Sequence, residues 1–208
     1  MFHRALRCGV TAAAVLAVRL AGVTPAQAAA GEGSAYGLKA DGPLLTLPPQ
    51  AMSQTGGPET NSLINPALPA GIAVGTLETS ARHDPGTGGV ASQATASDVM
   101  ITNDGLGGQG ASVGIDAARA QCSSTQEGTS GSTTLSGLQL PGGQSIPADA
   151  VNYSFDVGRG RMTVNEQIHN PDGGLTVNAA HLTIPGLTAE LDLDIVIASA
   201  TCGPATTP

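Results

Sequence analysis

The sequence predicts an all-β protein, an antiparallel β-sandwich of about 8–10 strands joined by Gly-rich turns. Three observations predict it. Apolar and polar residues alternate with a period of two in successive segments, and turn residues part those segments at roughly 10-residue intervals. Glycine also falls inside nearly every window that could otherwise be helical, and each one costs a helix ~1 kcal/mol relative to alanine.

Taken in order, residues 34–40 and 44–47 read as strands flanking the hairpin dipeptide Asp41-Gly42. Residues 48–69 are rich in Pro, Gly, Ser, Thr and Asn and read as a long surface loop. Ile72, Val74 and Leu77 mark a strand running to about residue 82, followed by a turn over 83–89. Residues 90–101 form the next strand and Asn103-Asp104-Gly105 opens the next turn. Residues 112–122 alternate, with Val113, Ile115, Ala117 and Arg119 on one face. A Gly/Ser/Thr stretch leads to a strand at 133–140 and a turn at Pro141-Gly142-Gly143. Strands at 151–157, 162–169, 175–184 and 188–201 complete the set. In the last, Ala189, Leu191, Leu193, Ile195 and Ile197 fall on one face and Glu190, Asp192 and Asp194 on the other. That pattern belongs to a sheet packed on one side and wet on the other.

The first 28 residues read as a cleaved secretion signal. Arg4 and Arg7 precede a short apolar run over residues 8–18, and Ala26-Gln27-Ala28 supplies a small-residue exit site. Arg19 ends the run well short of the ~20 residues a spanning helix needs, and no later stretch reaches that length. Residues 29–208 then form a single sandwich domain outside the cytoplasm, with no membrane span after processing.

Processing removes Arg4, Arg7 and Arg19 and no acid, leaving five basic against sixteen acidic residues, a formal charge of −11. Nucleic acid is a poor partner for such a surface, because phosphate backbones demand clustered Lys and Arg. Aromatic residues are scarce, so the core must come from Val, Ile, Leu and Ala. A sugar-binding platform would need Tyr36, Tyr153 and Phe155 exposed together.

Two cysteines remain after processing, Cys122 and Cys202, and an even count in an exported chain favours a disulfide. It would close a loop of about 80 residues, worth roughly 4–5 kcal/mol in the chain-entropy model. The alternative is two buried free thiols. Two cysteines without a nearby histidine pattern make a poor zinc site, so no metal and no cofactor is expected.

The segments Val164-Asn165-Glu166-Gln167, Gly174 through Leu182 and Asp194 through Ala200, with the opening Ser34-Ala35-Tyr36-Gly37-Leu38, resemble the choice-of-anchor P family of exported, mostly actinobacterial proteins. The resemblance implies an extracellular β-fold and carries no established catalytic residues. No terminal anchoring signal of the kinds that give that family its name is visible here.

Glu166 and His181 are the candidate polar pair. Alternation puts Glu166 on the face of Met162, Val164 and Ile168, and His181 on that of Leu175, Val177 and Ala179. Ionisable groups on apolar faces of neighbouring strands would have to pair, and such groups are enriched at functional sites. A structural contact is the plainer reading, and β-bulges could turn either residue outward. Glu190, Asp192 and Asp194 suit calcium by type, but an extended strand spreads them, so they read as a solvated face. Asn103-Asp104-Gly105 lacks the Asp/Asn spacing of an EF-hand loop. There is no Gly-x-Ser-x-Gly elbow, and Cys122 as nucleophile conflicts with its disulfide. The expected function is therefore a secreted, non-catalytic sandwich with a structural, adhesive or partner-binding role toward an unknown extracellular or cell-envelope component. The alternative is an extracellular hydrolase using Glu166 and His181.

Overall fold

The computed structural model describes residues 28–43, 45–102, 112–140, 146–147, 150–185 and 192–208. Two antiparallel sheets pack face to face as a β-sandwich, with 13 strands among the described residues. The first sheet contains β1 (Gly33–Asp41), β2 (Leu47–Gln50), β3 (Ser53–Gln54), β10 (Tyr153–Val157), β11 (Gly160–His169), β12 (Leu175–Ile184) and β13 (Leu193–Cys202). Its order is β10-β11-β12-β13-β1-β2, with β3 also on β1. The second contains β4 (Thr60–Ile64), β5 (Ile72–Ala73), β6 (Thr76–Asp84), β7 (Gly89–Ile101), β8 (Val113–Thr125) and β9 (Gly128–Ser136). Its order is β4-β6-β7-β8-β9, with β5 on β7. The expected secretion signal up to residue 27, the expected turns opening at Asn103 and Pro141, and the first residues of the expected last strand lie outside the described residues.

Two segments depart from the sequence reading. The stretch 48–69 is not one long loop, since it holds most of β2 together with β3 and β4. β4 pairs with β6 in register from Thr60↔Ser80 to Ile64↔Thr76. At an edge its side chains need no apolar period, which is why composition alone read it as loop. Likewise β9 spans Gly128–Ser136 rather than 133–140, because the β8–β9 turn is only Gln126 and Glu127. Its Gly, Ser and Thr residues are strand, not linker.

A single transverse row crosses each sheet and reverses its sidedness. In the first sheet the register places Asn165 opposite Ala179, Ala198 opposite both Ala179 and Gly37, and Ala51 opposite Gly37. Asn152 extends the row beyond β11, its N–H donating to Asn165 O at 2.9 Å. Left-handed backbone occurs at Asn152 (φ 55°), Asn165 (49°), Ala198 (52°) and Ala51 (50°). In the second sheet the row runs through Asn65 (45°), Gly75, Asp98 (53°), Asp116 and Gly137 (60°). A left-handed residue lets a strand turn its pleat over, as in a bulge. Left-handed residues stand in β7, β11 and β13, and the burial patterns of β1, β8 and β12 shift at the same level, so the register survives.

The core shows the reversal directly. Along β13, Ile195 and Ile197 face inward before the row, and Ala200 and Cys202 after it. Along β7 the buried positions are Val90, Ser92, Ala94 and Ala96, then Val99 and Ile101. Along β8, Val113 and Ile115 are followed by Ala118, Ala120 and Cys122. The expected continuation through Ala117 and Arg119 is thereby corrected: Arg119 is exposed.

Small residues let the sheets approach closely. A β-carbon on Gly131 of β9 would run into Val177 of β12, and one on Gly37 would stand 2.8 Å from Leu77 Cβ. The largest fully buried side chains are aliphatic or Met, including Leu38, Leu77, Ile115, Met162 and Ile195. Cys122 of β8 and Cys202 of β13 are disulfide-bonded, with Cα atoms 6.0 Å apart and a sequence separation of 80. The bond joins the two sheets through the core.

Reduction should therefore destabilise the domain by roughly 4 kcal/mol, the loop-closure entropy of a loop this long. The expected outcome is a markedly lower melting temperature with far-ultraviolet β-signal retained at 25 °C. An unchanged melting temperature after complete reduction would contradict it.

Candidate functional site

The row explains how the candidate pair meets. Past Asn165, Glu166 turns to the outer face of the first sheet, away from Met162 and Val164, while Gln167 turns inward and donates from Nε2 to Gly131 O of β9 at 3.2 Å. His181 lies on the other side of the row and points to that same outer face, opposite Thr163, rather than inward with Leu175 and Val177. The expectation that both residues lie on apolar faces is corrected: one pleat reversal brings them together on the outside.

Here His181 sits between two carboxylates. Its Nδ1 is 3.0 Å from Glu166 Oε2 of β11, and its Nε2 is 3.2 Å from Asp194 Oδ1 of β13. Asn178 Nδ2 donates to Glu166 Oε2 at 2.7 Å, and Thr183 Oγ1 donates to Asp194 Oδ1 at 2.8 Å. Three adjacent strands are thus cross-linked by side chains. Sequence reasoning missed Asp194, which had been assigned to a solvated face with Glu190 and Asp192. Nothing short of the β12–β13 register, with Thr183 opposite Asp194, could have revealed it. Glu190 lies outside the described residues.

The electrostatics follow from this geometry. Burial alone would push the imidazolium pKa down. Hydrogen bonds to Asp194 and Glu166, and the negative charge of both, overcome that effect and raise His181 to about 9. Burial would likewise raise Glu166, but the hydrogen bonds from His181 and Asn178 hold it below the usual carboxylate range. Asp194 is lowered chiefly by its bond from His181, against partial burial. The site therefore holds an imidazolium between two carboxylates at neutral pH.

Tyr36 of β1 stands in the next outer position, across from Ser199, and its phenol pKa is raised by burial, with Glu166 adding to the rise. The neighbouring Ser199 hydroxyl opposes that rise, though its contact with the phenol falls outside hydrogen-bond geometry. Tyr153 and Phe155 pair with each other on β10, ring centroids 5.9 Å apart, and three strands separate β10 from the β1 that carries Tyr36. The three aromatics do not form one platform.

Chemically, this arrangement binds a proton well and transfers one poorly. A general base needs a free nitrogen lone pair within reach of substrate, and both ring nitrogens of His181 face carboxylates. Glu166 and Asp194 lie at opposite ends of the ring, so their oxygens do not converge on one point. Among the described residues no group of three or more His, Cys, Asp or Glu could hold a metal ion. His83 lies on the other sheet, its Nε2 3.4 Å from Thr206 Oγ1, and His169 ends β11.

Two open grooves, of about 480 and 650 Å³, lie elsewhere, on the outer face of the second sheet. Their linings share Ser80 and Gln93; Thr60 and Glu78 border the first, and Arg82 and Gln121 the second. Gln93 Oε1 accepts from Arg119 Nη2 at 2.6 Å. Comparison with protein families, curated proteins and solved structures returned no match. Among the described residues no helix is long and apolar enough to cross a membrane.

The pH dependence of stability follows. The raised pKa of His181 contributes stability that is complete below about 6.5 and lost as pH rises through about 9. The lowered pKa values of Glu166 and Asp194 contribute stability present above the ordinary carboxylate range and lost as pH falls below it. Stability should peak between about pH 5 and 6.5. At pH 6 His181→Gln should lower it by about 1–2 kcal/mol, allowing for the partial exposure of Asp194. That deficit should shrink toward pH 10. Denaturant titrations across pH check this, and a deficit independent of pH would exclude the charged form.

Proposed function

We propose that this chain is a secreted, non-catalytic β-sandwich of the choice-of-anchor P kind, with a structural, adhesive or partner-binding role at the cell exterior. The observation that carries the non-catalytic reading is the imidazole of His181 held at both nitrogens by Glu166 and Asp194. A hydrolase built on Glu166 and His181 would need a cleft over these groups with one nitrogen free. The grooves instead open on the opposite sheet. Support for the exterior comes from the disulfide, which persists in oxidising compartments, and from the leader-like N-terminus. The two grooves, lined largely by Ser and Gln, offer polar surface to a partner.

The test uses Glu166→Gln and His181→Gln. Each variant should melt lower than the parent, while the folded fraction binds isolated cell-envelope material with unchanged affinity. Normal stability with lost binding would make the pair a binding site. Hydrolysis of an ester, peptide or glycoside by the parent, abolished in both variants, would establish the hydrolase.

A further inference from the structure

The fold takes hold of the chain at the residues a cleaved leader would leave behind. Ala29 O accepts the Glu32 N–H at 2.9 Å, closing a tight turn that contains Gly31 at φ 76°. Gly31 N–H donates to Pro204 O at 2.8 Å, and Gly203 N–H donates to Glu32 O at 2.7 Å. A β-carbon on Gly203 would collide with the carbonyls of Ala28 and Ala29, so these two residues lie directly against the segment that ends β13. Cys202, one residue earlier, is bonded to Cys122. Ala28 is buried at 7% exposure. The amide nitrogen of Ala29 donates to Glu32 Oε2 at 3.3 Å.

The exit motif Ala26-Gln27-Ala28 and this turn point independently at the same bond. We propose that processing at Ala28–Ala29 creates an ion pair between the new Ala29 ammonium and the Glu32 carboxylate, and that this cut must precede closure of the turn. The inference rests on the secretion reading above. A processing peptidase adds water across the amide. The C–N bond breaks, Ala28 leaves with the leader as a carboxylate, and Ala29 keeps the nitrogen, which takes up a proton at neutral pH. The same nitrogen that donated as an amide then donates as a cation, and charge-assisted hydrogen bonds are roughly twice as strong as neutral ones. The order follows from burial. A peptidase must draw out the residues around the scissile bond; in the folded chain Ala28 is buried, and although Ala29 is exposed, the carbonyls of both residues lie against Gly203. The titratable groups around this turn are Glu32 itself and His83, whose ring lies beside Gly31. The opposing segment, Gly203 and Pro204, brings no charge.

Two measurements test this. Full-length precursor is offered to a signal-processing peptidase, either folded with its disulfide or reduced and unfolded. Cleavage should be at least about tenfold faster for the unfolded chain, because access requires opening of the turn. Equal rates would overturn the order of events. The mature protein beginning at Ala29 is then titrated by NMR at its α-amine. The amine pKa should lie above the ordinary ~7.7–8.0, and Glu32→Gln should return it to that range. An ordinary value unaffected by Glu32→Gln would overturn the ion pair. N-terminal sequencing of the exported protein keeps the two readings separate. Met1 at the exterior would end the secretion reading, whereas Ala29 with an ordinary amine would end only this inference.

Discussion

Both sheets depend on one collective constraint, the transverse row at which neighbouring strands turn their pleats over. A shift of one residue in one strand alone would send its apolar set to the solvent face. Here the shift occurs in neighbouring strands at the same level, so pairing continues on both sides of the row without a change of register. The left-handed residues that make it are Asn, Asp or Gly at most positions, where that backbone is readily adopted. Ala51 and Ala198 are exceptions, each costing ~1 kcal/mol. That local cost is borne because relaxing either strand would expose a core row or bury a polar one. The disulfide depends on the row as well, since Cys202 faces inward only after Ala198 has reversed β13.

The polar site is a product of the same device. Without the reversal, Glu166 would point into an aliphatic core beside Val164, where an ionised carboxylate needs a buried partner. With it, Glu166 reaches the outer face and meets His181, which is already held by Asp194 from the other side. Two attractive partners outweigh the desolvation of the imidazolium, and the net result is a charged staple across β11, β12 and β13. It links three strands by side chains across the outer face of the first sheet.

Much of this fold was legible in the sequence, and the limit falls at identifiable residues. Alternation in 90–101, 162–169 and 175–184 located β7, β11 and β12 closely, since their core positions are filled by Val, Ile, Leu, Met and Ala. Edge strand β4 was not legible and β9 was placed too late in the sequence, because a Ser/Thr/Gly edge carries no apolar period. The pairing of Glu166 with His181 was anticipated, but for the wrong face. A period-two reading extended across Asn165 assigns every later residue of that strand to the wrong side. Asn165, Asp98 and Gly75 could have hinted at a bulge. Ala198 and Ala179 carry no such signal, since nothing about alanine marks a reversal that only neighbouring strands impose.

Cysteine accessibility along β7 tests the reversal most directly. Single cysteines placed from Val90 through Ile101, with the native disulfide intact, are scored for reaction with a thiol reagent. The account predicts reaction at Ala91, Gln93, Thr95 and Ser97, then at Asp98 and Met100, with Val99 and Ile101 protected as the buried residues they are. Unbroken alternation, with positions 99 and 101 reactive and 98 and 100 protected, would contradict it.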